Sequence, residues 1–470
     1  MTNSSKKVKK NSILITDKIK SYNIYIAAIL IIILSTSCTG KEKLPFKKSI
    51  SQYGITWNFN KKVQVGQFIT GDYYVVGPVT IISITPAPEN GRNGSMLNGT
   101  TGYESGYDSR TIRYNEKLTV KPPITMNPGY SLISTISLKD DELHRQPVFK
   151  RPVSKRQTYL KYAAVLTCMS SPVSSGAFRP SYSDTVNSIY YVKNLRRNLL
   201  PKLPRVKNTP DFSKWERIFE RPWIDHTQGW GNRQTHPTDN MPEYAIEISK
   251  AVSAASLLLM LDFPGEEKEK LLLSFIQYGI DLWGIAKAGG GWEAAGGYGV
   301  GRKWPIIMTG ILLGDKKMQM PNKYIPGVRF SEDEQTIYGS GWTGAKALFA
   351  GHSGIHGKKD RGPYEHIHPS NWQSAAGEQY RRGCSVSWIG TALAARIMHA
   401  EKLWSHNAFF DYTDRWMTED DTELLTEIRK YFPEDLIGRD IGRLPQGTSG
   451  SIFIDEMWKE YRNNLTKINR

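Results

Sequence analysis

The sequence predicts an α+β chain of more than one domain, with an N-terminal antiparallel β-sandwich followed by an α-helical bundle or incomplete α/α toroid. Up to about residue 170 the apolar residues fall in short β-branched and aromatic runs cut by turn residues, and from Asp184 onward they recur at helical spacing. The chain has 470 residues, 39% of them hydrophobic, which is enough for two or three domains with large buried cores.

The strand-like runs are Ile55–Phe59, Tyr73–Val76, Val79–Ile84 and Lys117–Val120. Gly71-Asp72, Pro86-Ala87-Pro88, Asn93-Gly94 and Pro128-Gly129 separate them as turns. Glu89–Asp108 is glycine-rich and poor in apolar residues, so it reads as a long loop, and loops of that kind carry function or move. A charged connector over Lys139–Arg156 precedes a last apolar stretch, Tyr162–Met169, which closes a sandwich domain over residues 50–170. Residues 171–470 then form the helical domain, with helices expected over Asp184–Leu200, Pro242–Leu261, Glu266–Lys287, Lys303–Leu313, Ser387–Trp404, Asn407–Met417, Thr422–Phe432 and Ile452–Leu465. Pro242 falls in the first turn of its helix, with Asp239 and Asn240 upstream as caps.

Residues 1–37 read as a signal peptide. Lys6, Lys7, Lys9, Lys10, Lys18 and Lys20 precede an apolar run from Ile24 to Leu34, which is signal-core length and too short to span a bilayer. Small residues then lead into Cys38, the expected lipid-bearing N-terminus of a bacterial envelope lipoprotein, followed by a linker over 38–49. Lys and Arg number 62 against 45 Asp and Glu, a net +17, and the basic excess survives loss of the leader. For an exported chain this charge points to acidic polysaccharide or oligosaccharide and away from nucleic acid. Thirteen Trp and 24 Tyr offer flat rings suited to stacking on sugars. Cys168 and Cys384 are free to pair or to stay buried as thiols, and no feature specifies an oligomeric state.

Three stretches concentrate chemistry. Arg221–Tyr244 gathers two Trp, two His, two Arg, two Asn, Asp225, Asp239, Glu243 and Tyr244 ahead of a helix, where N–H donors and the dipole favour an anion. An elaborate cap of mutually satisfied polar groups is the plainer account of it. Gly289–Gly301 has seven glycines in 13 residues and runs into Arg302. No Lys-Ser/Thr follows, so it is not a phosphate loop; glycines would let backbone approach a bulky ligand, or simply let two helices cross. His352, His356, His366 and His368 have zinc-ligand spacings, so a bound zinc or calcium ion would sit there, although glycines make the stretch a loop. Behind it come Glu378, Tyr380, Arg381 and Arg382, read either as solvated surface or as substrate contacts.

The layout, together with Gly71-Asp-Tyr-Tyr-Val-Val-Gly-Pro-Val79 and Gly289-Gly-Gly-Trp292, resembles exported α/α-toroid polysaccharide lyases and uronate-oligosaccharide dehydratases of ulvan-type algal-polysaccharide degradation. Here the sandwich precedes the helices, whereas in toroid lyases it follows them. The resemblance implies β-elimination on a uronic acid, with no cofactor required. Such chemistry needs the carboxylate neutralised, a base for the C5 proton and an acid for the departing O4. The expected assignments are Asn240 and Arg302 as neutralisers, His236 or Tyr244 as base and Tyr298 or Tyr380 as acid. Trp230, Trp292 and Trp372 would be sugar platforms, with Arg233, Arg381 and Arg382 as further substrate contacts. Loss of a sugar from O4 would make a lyase and loss of water a dehydratase. Two other readings stand: a glycoside hydrolase using paired carboxylates among Asp225, Asp239, Glu243, Glu293, Glu365 and Glu378, and a non-catalytic surface lipoprotein that captures glycan for import.

Overall fold

In the computed structural model the described residues are 44–143, 158–183, 188–294, 297–350, 365–433 and 445–465. The first hairpin shows how local sequence sets the architecture. Strand β1 (Phe46–Gln52) turns into β2 (Ile55–Gln67) through Tyr53-Gly54, both at positive φ, with Gln52 opposite Ile55. β1 thus begins inside the stretch expected to be linker. Along β2, Ile55, Trp57 and Phe59 alternate inward, as a half-buried strand requires.

β2 is long enough to serve two sets of partners. β1 pairs with it as far as Gln64, β4 (Val79–Thr85) pairs with its first part, and its last residues, Val65–Gln67, pair with β3 (Tyr73–Val76). β4 pairs with β6 (Ile124–Met126), while β3 continues to β8 (Leu160–Met169), then β7 (Ser131–Ser137) and β5 (Ser95–Leu97). The sheet curls around a core that includes Trp57, Phe59, Ile81, Met126, Leu132 and Leu166, and the Trp57 indole donates to Ser134 Oγ at 3.0 Å.

The expected all-antiparallel sandwich is corrected to a mixed sheet. β3 and β8 run parallel, because the chain traverses β4 to β7 before β8 returns in the direction of β3. Lys117–Val120 is not a strand: Glu116–Leu118 forms a 3-10 turn, capped by Asn115, whose side chain accepts from Lys117 N.

β7 and β8 have two buried faces. Leu132, Ala164 and Leu166 point into the sheet's own core, while Ile133, Ala163 and Val165 join the core of the helices. Sheet and helices accordingly belong to one compact unit, Pro45–Arg470. Arg179 fastens them together. Fully buried, it donates to Asp72 beside β3 at 2.8 Å and to both oxygens of Asp281 on the Gly265–Lys287 helix, at 2.9 and 2.6 Å.

The longest helices are Ala245–Leu259, Gly265–Lys287, Lys303–Leu313 and Ala376–Ile397. Gly265–Lys287 crosses Lys303–Leu313 closely: a Cβ on Gly279 would lie 2.0 Å from Thr309 Oγ1 and 2.6 Å from Pro305 O. Ala376–Ile397 lies on Ala245–Leu259 through small residues, with Ser249 Oγ donating to Ser387 O at 2.8 Å. Shorter helices follow at Asn407–Thr418, Thr422–Tyr431 and Ile452–Tyr461. Where Asp184–Leu200 was expected to be helical, residues 184–187 lie outside the described ones, and the remainder makes two 3-10 turns, Val192–Asn194 and Arg197–Leu199. The architecture is α+β, a mixed sheet followed by helices. No helix among the described residues is long and apolar enough to cross a membrane.

Candidate functional site

The Arg221–Tyr244 stretch is irregular apart from a 3-10 turn at Trp230–Thr235, and the following helix starts only at Ala245. Pro242 is therefore outside the helix, and Tyr244, extended at φ −131°, caps it without a side-chain bond. The expected caps serve other partners. Asp239 is held by Arg217 and Arg221, and Asn240 gives its amide protons to the carbonyls of Ile218 and Arg221, each at 3.1 Å. Asn240 is a brace for the Ser213–Phe219 helix, which corrects its assignment as a carboxylate neutraliser.

The centre of the stretch is a buried ion pair. Arg302 Nε and Nη2 donate to Asp225 Oδ2 and Oδ1, both at 3.0 Å, and Nη1 donates to the carbonyls of Tyr298 and Val300 at 3.0 and 2.8 Å. With its fork committed this way, Arg302 is not available to a substrate carboxylate, a second correction. Burial opposes its charge, but Asp225 more than compensates and raises its pKa. Tyr278 Oη donates to Asp225 at 3.2 Å, and Asn232 Nδ2 reaches both Asp225 at 3.1 Å and Tyr298 Oη at 2.8 Å. Tyr298 Oη donates in turn to Thr227 O at 2.9 Å, and burial pushes its pKa well up.

Two histidines adjoin this group. His236 Nδ1 lies 2.9 Å from Pro242 O. A carbonyl only accepts, so Nδ1 carries the proton and Nε2 the lone pair. Nε2 is buried and has no partner among the described residues. Burial lowers the His236 pKa to about 4, with Asp225 pulling weakly the other way, so the ring is neutral at pH 7. His226 stands edge-on between Tyr107 and Tyr182, with ring centroids 5.7 Å from each; burial brings its pKa to about 4 as well.

Tyr380 belongs to a neighbouring group across the glycine-rich segment. Its hydroxyl accepts from Gly297 N at 3.0 Å and from Gln335 Nε2, while Glu332 accepts from Gly301 N at 2.6 Å. Tyr244 is half-buried and within electrostatic reach of Tyr380. Burial pushes the Glu332 carboxyl up to about 7. Glycine is obligatory in this segment: a Cβ on Gly299 would lie 2.2 Å from Trp292 O, and Gly301, at φ +91°, would press on Ser249 N.

The structure thus gathers His236, Tyr298 and Arg302, keeps Tyr380 and Tyr244 in an adjacent group, and removes Asn240. Among the expected platforms only Trp230 is strongly exposed, at 40%, with the Arg233 guanidinium 3.7 Å from its ring centroid. Trp292 is a core residue stacked on Phe330, and Trp372 is partly buried, stacked on Phe432 with its indole bonded to Ile367 O at 2.8 Å. Arg381 and Arg382 are not substrate contacts. Both are buried and clamp Glu378, Arg381 reaches Tyr412 and Gln446, and Arg382 reaches Asp421. Burial works against the Glu378 charge, yet the two guanidiniums hold its pKa low.

Two further carboxylates weighed for hydrolysis are also occupied, Glu293 by Arg329 at 2.8 Å and Glu365 by Arg415. His366 is exposed and His368 bonds Ser370 Oγ at 2.9 Å; His352, His356 and Cys38 lie outside the described residues. No group of three His, Cys, Asp or Glu side chains that would hold a metal is found among the described residues. Cys168 and Cys384 are buried and free, so they do not form a disulfide.

Sequence reasoning missed Tyr107, Tyr182, Tyr278 and Glu332. Only Tyr278 left a signal, since Gln277, Tyr278 and Asp281 interrupt an otherwise apolar buried helix. Comparison with known protein families, curated proteins and solved structures finds no match to this chain.

Proposed function

We propose that the chain acts on uronic-acid-containing carbohydrate by β-elimination, with His236 as the base. The observation that carries this reading is the fixed tautomer of His236, a neutral imidazole whose Nε2 lone pair has no other occupation among the described residues. In the proposed step Nε2 takes the proton from C5, the electron pair forms the C4–C5 double bond, the C4–O4 bond breaks and the Tyr298 hydroxyl protonates O4. The Arg233 guanidinium, three residues before His236, is the donor that would quench the sugar carboxylate. On this reading Arg302 is a positioning residue, which holds Tyr298 and Asp225 in place. The curled sheet and paired helices would then correspond to the sandwich and incomplete toroid of such lyases, and Cys38 to a lipid anchor in the bacterial envelope.

A second reading has its own support. His236, Asn232, Tyr298 and Arg302 are all buried, which favours a protein that captures acidic glycan at its surface while these groups serve the fold. Ultraviolet absorbance separates the two, because only elimination creates the C4–C5 chromophore. A screen over alginate, ulvan, glucuronan, pectin and glycosaminoglycans is the test, and binding without absorbance on any of them would select capture.

A further inference from the structure

We infer that the β1–β2 hairpin is a second membrane contact, a basic patch that lies against anionic lipid headgroups; the inference builds on the lipid anchor proposed at Cys38. Residues 44–71 contain four lysines, Lys47, Lys48, Lys61 and Lys62, and no Asp or Glu. All four are exposed, and among the described residues none of them makes an ion pair. The strand register gathers them. Lys47 pairs with Val63 and Ser49 with Asn58, so two steps along β1 are matched by five along β2, and residues 59–62 bulge out beside Lys48. Lys61 shows what the bulge does. Ile55, Trp57, Phe59, Val63 and Val65 are buried at alternate positions, and Lys61 occupies the inward place between Phe59 and Val63, yet it is exposed. An unpaired ammonium would be costly inside the sheet, and the irregular register turns it out to solvent.

Exposed apolar side chains accompany the lysines. On the other edge of β2, Asn58 pairs with Ser83 and Phe59 with Ile81, which leaves Ile82 as an extra residue, 50% exposed, and Phe46 at the start of β1 is 58% exposed. Ammonium groups beside protruding apolar groups suit the boundary of a bilayer, where the first meet lipid phosphates and the second enter the headgroup layer. Position in the chain selects the bilayer over an acidic glycan, which the same charge would attract. Phe46 is eight residues from Cys38, and eight extended residues reach about 30 Å at most. A lipid on Cys38 therefore keeps the hairpin beside the surface whose potential decays within about 10 Å, so the lysines act at short range on every approach. The strand is fixed from its first residue, since Val65 N donates to Pro45 O at 3.0 Å.

The test is vesicle co-sedimentation of the chain from residue 38 onward carrying Cys38→Ser, which bears no lipid and keeps the whole compact unit Pro45–Arg470. Binding is expected to phosphatidylcholine vesicles that contain phosphatidylglycerol and not to phosphatidylcholine alone, and to weaken as salt is raised. Each of Lys47→Gln, Lys48→Gln, Lys61→Gln and Lys62→Gln should weaken it about fivefold, and the four together should abolish it. Arginine at all four positions should preserve it, and Lys316→Gln with Lys317→Gln, exposed on another element, should leave it unchanged. No binding to the anionic vesicles, or equal binding by the wild type and the fourfold glutamine variant, overturns the contact. Acidic oligosaccharide binding that the fourfold variant loses, without vesicle binding by the wild type, assigns the patch to glycan and overturns it too. Lysine-dependent vesicle binding upholds the contact even where Cys38 takes no palmitate in cells, a result that overturns the anchor alone.

Discussion

His236 Nδ1 stands 2.9 Å from the carbonyl oxygen of Pro242, and that contact decides which ring nitrogen carries the proton. The Arg233–Pro242 turn thus fixes the tautomer in the way an orienting carboxylate does in other sites, by giving Nδ1–H an acceptor. His236→Asn keeps a donor for Pro242 O and removes the Nε2 lone pair proposed as the base. It is expected to fold normally, measured by circular dichroism and urea unfolding, and to lose formation of unsaturated product by a factor on the order of a hundred or more. In the wild type, kcat/KM should fall on the acid side with an apparent pKa near the about 4 set by burial and well below the ordinary imidazole value.

The two buried histidines also tie stability to pH. Their folded pKa of about 4 lies below the ordinary imidazole value of 6.5, so between these values the unfolded chain binds more protons. Their contribution is complete above pH 6.5 and is lost as pH falls toward 4, on the order of a few kcal/mol for each ring. His226→Gln combined with His236→Asn should flatten this slope in urea titrations.

Glu332 acts in the opposite sense. Its carboxyl is raised from 4.5 to about 7, so the folded state holds the proton more tightly and that stability is lost as pH rises through this window. Glu332→Gln, which stays neutral and still accepts from Gly301 N, should gain stability relative to wild type above pH 7 and not at pH 5. Equal differences at both pH values would show that the carboxyl does not titrate there.

The Asp225–Arg302 pair is fully buried, and removing one partner strands the other charge. Arg302→Ala should cost about 3–5 kcal/mol in urea unfolding. Arg302→Lys should not rescue it, because an ammonium cannot reach both oxygens of Asp225 and the carbonyls of Tyr298 and Val300 together. A loss below about 1 kcal/mol would mean that the pair does not organise the site.

Export makes a separate prediction. Radiolabelled palmitate should incorporate into the wild-type chain expressed in a bacterial host and not into Cys38→Ser. Labelling of neither would favour a freely secreted form.

Much of the fold was legible because hydrophobic spacing is local. The Gly265–Lys287 and Lys303–Leu313 helices lie where periodicity put them, and the Tyr73–Val76 and Val79–Thr85 strands follow their β-branched runs. The parallel β3–β8 pairing was not legible, since strand direction depends on chain path and not on composition. The Arg221–Tyr244 stretch does contribute Asp225 and Asn232 to a buried polar group, but sequence names residue types without their partners. Arg302 read as an available fork because Asp225 lies 77 residues away in the chain. Trp292 read as a sugar platform although Phe330 covers it, and Arg381 and Arg382 read as surface or substrate contacts although Glu378 neutralises them within one turn of their own helix.

The most direct measurement is continuous ultraviolet absorbance of the wild type and His236→Asn, at matched folded concentration, on the uronate polymer the wild type binds most tightly. The account predicts steady growth of the C4–C5 double-bond band with the wild type and none above background with the variant. Equal growth with both would remove His236 from the chemistry, and a flat trace from a wild type that binds the polymer would contradict elimination itself.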